Sequence, residues 1–167
     1  MRLLGAGLIW TSLIYAGAVY SIKLKKRIFL LENTLLMLRE MKMQLEYLNM
    51  PLCDMILQMK SREYFFSLGF LNECCNLIEI GTDFPKAWES AVINSSHYYK
   101  REETEKLLHL GTNLGRSNLS NQIDILNIHI GYFETFLKNA KIAQQKYGKM
   151  SMMTFALLGC MFFIMVI

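Results

Sequence analysis

Two long uncharged apolar runs constrain this chain more than any other feature. LLGAGLIWTSLIYAGAVYSI covers Leu3 to Ile22, 20 residues, and MSMMTFALLGCMFFIMVI covers Met150 to Ile167, 18 residues. At about 1.5 Å of rise per helical residue they reach roughly 30 and 27 Å, the hydrocarbon thickness of a bilayer. An amphipathic core helix would show a polar face, and the second run has none. Both are therefore expected to cross a membrane. For the first, a cleaved signal peptide is the alternative, because Ala16 to Ala18 has the small-x-small form of a processing site. Against it, the strong positive cluster follows the apolar run instead of preceding it.

Charge placement orients the pair. Lys23, Lys25, Lys26 and Arg27 follow the first run, and Lys138, Lys141, Lys146 and Lys149 precede the second, with no acid inside either group. Only Arg2 lies on the other side, so the positive-inside bias puts the middle of the chain in the cytoplasm. Of 18 Lys and Arg, those nine leave nine between residues 28 and 137, against all 14 acids, a net charge there of about −5. The basic pI of 8.9 thus comes from a belt at the membrane margin. Such a belt suits anionic lipid headgroups, whereas a nucleic-acid binder would carry a basic stripe on its exposed domain. DNA and RNA are not expected partners. The expected organisation is a transmembrane helix over 1–22, a cytoplasmic helical domain over 23–149 and a second transmembrane helix over 150–167.

Cys53, Cys74, Cys75 and Cys160 form no C-x-x-C pair and read as small core residues in a reducing compartment. The Asn94 and Asn118 sequons matter only in a lumenal domain, which the charge bias opposes.

Between the runs the periodicity is helical throughout. Leu24, Ile28, Leu31, Leu35, Leu38, Leu45 and Leu48 recur at three and four, with Lys42 as one polar interruption, and Met50-Pro51 ends that helix. Pro51 suits the first turn of a short helix bearing Leu52, Met55, Ile56 and Met59. Phe65, Leu68, Leu71, Cys75 and Ile78 lead to Gly81, after which Thr82 or Asp83 is placed to cap a helix turning Ala87, Trp88 and Ala91 inward. Leu119, Ile123, Leu126, Ile130, Phe133, Leu137 and Ala140 step by four and three, the seam of a coiled-coil-like partner. Core packing within the chain is the first reading of that seam; homo-oligomerisation through part of it is the second. No stretch alternates with period two long enough for a sheet. The expected fold is an all-α bundle, its two long antiparallel helices continuous with the terminal spans and shorter helices between them.

The segment LGTNLGRSNLSNQ carries two glycines four apart, Gly111 and Gly115, without the Lys-Ser/Thr of a P-loop and without a preceding strand. It reads as a corner. Gly115 is placed to end one helix in a left-handed conformation, and Ser117 or Asn118 to cap the next at Leu119. The glycine pair also admits close approach of another backbone, and Arg116 is a candidate docking residue.

Chemical constellations are missing from the pattern. His97, His109 and His129 have no metal-ligand spacing, no G-x-S-x-G elbow occurs, and Glu102, Glu103 and Glu105 read as a solvated face at a helix start. No catalytic, metal-binding or cofactor-binding residue is inferred, and an enzyme is not expected.

With two apolar ends around a helical domain, the chain resembles the stage III sporulation protein AB family of endospore-forming bacteria. The resemblance rests on Leu110, Gly111, Leu114, Gly115, Ser117 and Gln122, with Asn118 where the family has Asp. Weaker echoes are QLEYLNMPL around Tyr47, Pro51 and Leu52, with Gln44 and Met50 in place of Glu and Thr, and Ala87-Trp88. It implies a component of the mother-cell-to-forespore channel, embedded in the outer forespore membrane. It further implies a helical domain similar to the inner-membrane platform proteins of type II secretion and type IV pilus systems, with a secretion-type ATPase and other channel proteins as partners. A membrane-anchored regulator that binds a soluble signalling protein is the contrasting expectation.

Overall fold

The computed structural model describes the backbone of residues 2–115 and 118–166 and the side chains of residues 21–115 and 118–146. Six α-helices follow one another: α1 (Arg2–Leu48), α2 (Leu52–Lys60), α3 (Gly69–Glu79), α4 (Phe84–Asn94), α5 (Arg101–Asn113) and α6 (Leu119–Val166). Short 3-10 turns at Glu63–Phe65 and Ser96–Tyr98 join them, and no strand occurs among the described residues. The all-α expectation is met, with long first and last helices of 47 and 48 residues.

The chain divides into two compact units, residues 1–28 with 138–167, and residues 29–137. Among the described residues no helix is long and apolar enough to cross a membrane. The two expected spans, 1–22 and 150–167, lie outside the described side chains apart from Ser21 and Ile22. In the first unit Lys23, Lys25, Lys26, Lys138, Lys141 and Lys146 are exposed.

The second unit holds the core. Leu31, Met37, Leu38 and Met41 of α1 are fully buried, so α1 is covered around much more than one stripe. The helix stops where Asn49 takes a left-handed backbone, φ 45°, before Pro51. Asn is among the few side chains that tolerate this region. Pro51 stands one residue ahead of α2 as its N-cap, φ −58° and ψ 143°, not within the first turn as its sequence position suggests. Met55, Ile56 and Met59 of α2 are buried as their spacing predicts.

Helix α3 packs along α2 and α4, and α4 along α5. Asp83 stands at the N-cap of α4 but makes no side-chain cap hydrogen bond, so the capping expectation fails there. Along α6, Leu126, Phe133 and Ala140 are buried, whereas Leu119 is 39% exposed. Between them Ile123, Ile130 and Leu137 are half-buried. The outer part of the expected seam is thus only partly covered within the chain.

Candidate functional site

The family-like residues gather at two places in the second unit. The first is the corner between α5 and α6. Leu110 and Leu114 are buried, and the Leu114 N–H donates to the Leu110 carbonyl at 2.9 Å, closing α5. Gly115 then turns left-handed, φ 83°, as the sequence requires of a glycine stop. A Cβ there would sit 3.1 Å from Leu52 Cδ1, so the start of α2 abuts the corner. The other echo of the motif, the α1–α2 turn, therefore lies beside it. That turn exposes Tyr47 at 75% and Leu48 at 62%.

Asn118 caps α6: its Oδ1 accepts the Asn121 N–H at 3.1 Å, and its carbonyl accepts the Gln122 N–H at 3.1 Å. The amide serves where a carboxylate would, since capping needs only an oxygen acceptor. Gln122 is half-buried in the first turn of α6. Arg116 and Ser117 lie outside the described residues, and with them the expectation that Arg116 docks a partner.

The second place is an aromatic chain running from α1 to α5. The Thr34 hydroxyl donates to the Leu30 carbonyl at 2.8 Å, so the Tyr99 phenol 2.8 Å away donates to Thr34 Oγ1. Phe70 meets Tyr99 at 6.0 Å and Trp88 at 5.4 Å, both edge to face. The indole N–H of Trp88, buried, donates to the Leu107 carbonyl at 2.7 Å. Gly111 lies one turn beyond, where a Cβ would fall 2.1 Å from Trp88 Cδ1. The close approach that the glycine pair permits is thus made by an indole, not by a second backbone. Burial, and secondarily Glu103, raises the Tyr99 phenol above its ordinary range.

Three features were not visible in the sequence. Glu103, read as solvated, is 1% exposed and accepts the Lys100 N–H at 2.8 Å, the carboxylate arm of a capping box. His109 of α5 stacks on His129 of α6, centroids 5.6 Å apart and planes 21° apart. His129, 2% exposed, donates from Nδ1 to the Ile125 carbonyl at 2.8 Å, while its Nε2 is buried without a partner. Burial lowers its pKa, helped by the charges of His109 and Lys106 and opposed by the backbone carbonyls of Ile125 and Lys106. Lys106 Nζ lies 4.1 Å over the Tyr132 ring, itself edge-on to His129. Only a sidedness argument across two helices would have paired those histidines, because 20 residues separate them.

Cys74 and Cys75 are buried and Cys53 is half-buried, in keeping with core cysteines. Burial, then the neighbouring Cys75 and Cys53, pushes the Cys74 thiol up to about 12. Such a thiol is a poor nucleophile. Among the described residues no three His, Cys, Asp or Glu side chains gather as a metal set.

Together these residues define a helical scaffold whose motif glycines set how closely α2, α4 and α5 approach. The chain belongs to the stage III sporulation protein AB family, whose model matches residues 2–167. A role in the third stage of sporulation follows from that membership. Neither a curated protein nor a solved structure matches the chain.

Proposed function

We propose that the chain is a membrane-embedded platform of the mother-cell-to-forespore channel, held in the outer forespore membrane by its two apolar ends. The exposed lysines at 23, 25, 26, 138, 141 and 146 support this, since they flank both apolar runs and suit anionic headgroups. The helical domain then faces the mother-cell cytoplasm and docks a secretion-type ATPase and other channel proteins. The observation that carries the docking reading is the meeting of two family-like segments at one corner, where Gly115 abuts Leu52 and the adjoining turn exposes Tyr47 and Leu48. Exposed apolar side chains beside motif residues mark interaction surfaces more than stability does.

Two measurements test the reading. Alkaline carbonate should leave the chain in the membrane pellet; release into the supernatant would remove the anchoring. The detergent-solubilised protein should co-purify with its ATPase, and Tyr47→Ser with Leu48→Ser should lower the recovered ATPase at least fivefold. Unchanged recovery in that double variant would remove the corner as the docking surface.

A further inference from the structure

We propose that the outward stripe of α1 in the second unit seats an amphipathic helix of another protein, one whose flanking charges run basic, acidic, basic. Between Phe29 and Glu46 only six α1 residues are exposed: Phe29, Glu32, Leu36, Arg39, Met43 and Glu46. Phe29 is 56% exposed, Leu36 43% and Met43 50%, and they repeat every seven residues. A column of large apolar side chains at that strict interval is the seam of a supercoiled helix partner. Glu32, Arg39 and Glu46 each follow one of them by three, a parallel column of alternating sign. Over 17 residue steps the stripe runs about 25 Å, long enough for several turns of a partner.

Neighbouring elements border the stripe without covering it. Helix geometry sets Arg39 on one side of Leu36, and Asn33 with Glu40 on the other. Arg39 bonds Glu134 of α6, while Asn33 bonds Ser67 at 2.7 Å and Glu40 pairs with Arg62. The column therefore lies between α6 and the 62–67 segment, which adds the exposed rings of Tyr64 at 71% and Phe66 at 59%. The Arg39–Glu134 pair is about half exposed on both sides and leaves the guanidinium shareable.

The charge column decides the occupant. A second copy aligned in parallel would set Glu32 on Glu32 and Arg39 on Arg39, which repel. An antiparallel copy in register would repel in the same way, setting Glu32 on Glu46 and Arg39 on Arg39, because the column reads the same in both directions. A different chain with opposite signs avoids both clashes. Its pattern of basic, acidic, basic reads the same in either direction, so one probe serves both helix orientations.

The test uses the full chain in nanodiscs with Leu36→p-benzoylphenylalanine as a photo-crosslinker. Two synthetic 21-residue helical peptides are titrated, identical in their leucine heptads, one with lysine, glutamate, lysine beside the seam and one with those three charges reversed. The matched peptide should reach half-maximal crosslinking at about a tenfold lower concentration, as three exposed ion pairs gained against three like-charge contacts imply. Glu32→Lys, Arg39→Glu and Glu46→Lys together, all outward-facing, should invert the preference. Equal crosslinking of both peptides, a preference that survives the triple variant, or crosslinking to a second copy of the chain would each overturn the proposal. The readout needs neither ATPase nor channel, so its failure leaves the platform reading standing, and loss of ATPase docking leaves this one.

Discussion

The indole of Trp88 occupies the space that any side chain at position 111 would need: a Cβ on Gly111 would fall 2.1 Å from Cδ1 and 2.6 Å from Cγ of the ring. Trp88 has little freedom to retreat, because its N–H is bonded to Leu107 and its ring meets Phe70 and Phe84. Gly111→Ala should therefore lower the stability of the solubilised protein by at least the ~1–3 kcal/mol of an overpacked core. In the double variant Gly111→Ala with Trp88→Leu, the two losses should sum to less than their separate values, since the second relieves the first. A urea midpoint unmoved by Gly111→Ala, or strictly additive losses, would count against this packing.

How far the sequence discloses this arrangement depends on what periodicity carries. Spacing of three and four tells which residues share a helix face, and it correctly places Leu31, Leu38, Trp88, Leu126 and Phe133 inside. End grammar likewise places the Gly115 stop and the Asn118 cap. Neither signal says which faces find a neighbour. Leu48 belongs to the α1 series yet is 62% exposed, whereas Glu103 is buried because its carboxylate meets a backbone N–H. Gly111 was legible as a place of close approach, but its partner depends on how α4 docks on α5. The outer stripe of α1 was hidden for the same reason: a helix covered on several sides has no single apolar face to read.

Asn49 holds a left-handed backbone at the end of α1, and its side chain only partly offsets the Cβ penalty. Glycine has no such penalty. Asn49→Gly should raise the unfolding free energy read from a urea titration by about 0.5 kcal/mol, and Asn49→Ala should lower it by roughly 1 kcal/mol. An alanine as stable as the wild type would mean that this residue does not hold the left-handed conformation.

The cysteines offer a chemical probe of the core. Cys74 is 0% exposed and its thiol is pushed up to about 12, while Cys53 is half-buried. Because the thiolate is the reactive species, iodoacetamide at pH 8 should alkylate Cys53 at least tenfold faster than Cys74 in the folded protein. In urea the two rates should converge. Mass-mapped peptides after a timed quench give both rates, and equal labelling in the folded state would place Cys74 nearer solvent than described.

His129 gives the domain a pH response whose sign follows from its surroundings. Its folded pKa lies below the ordinary 6.5 because burial disfavours the cation, and Lys106 and His109 of α5 add repulsion. Tyr132 contributes only a ring edge, and the Ile125 carbonyl is already served by the neutral ring through Nδ1–H. Above about pH 6.5 the ring is neutral whether folded or not, and the packing is at full strength. As pH falls below that value the unfolded chain takes up the proton first, so stability declines until the folded pKa is passed. Thermal unfolding of the solubilised protein should therefore fall more steeply between pH 6.5 and 5 in the wild type than in His129→Gln, which cannot titrate. Were the two slopes the same, the buried imidazole would not be the group that responds, and its stacking on His109 would have no consequence for how α5 holds to α6.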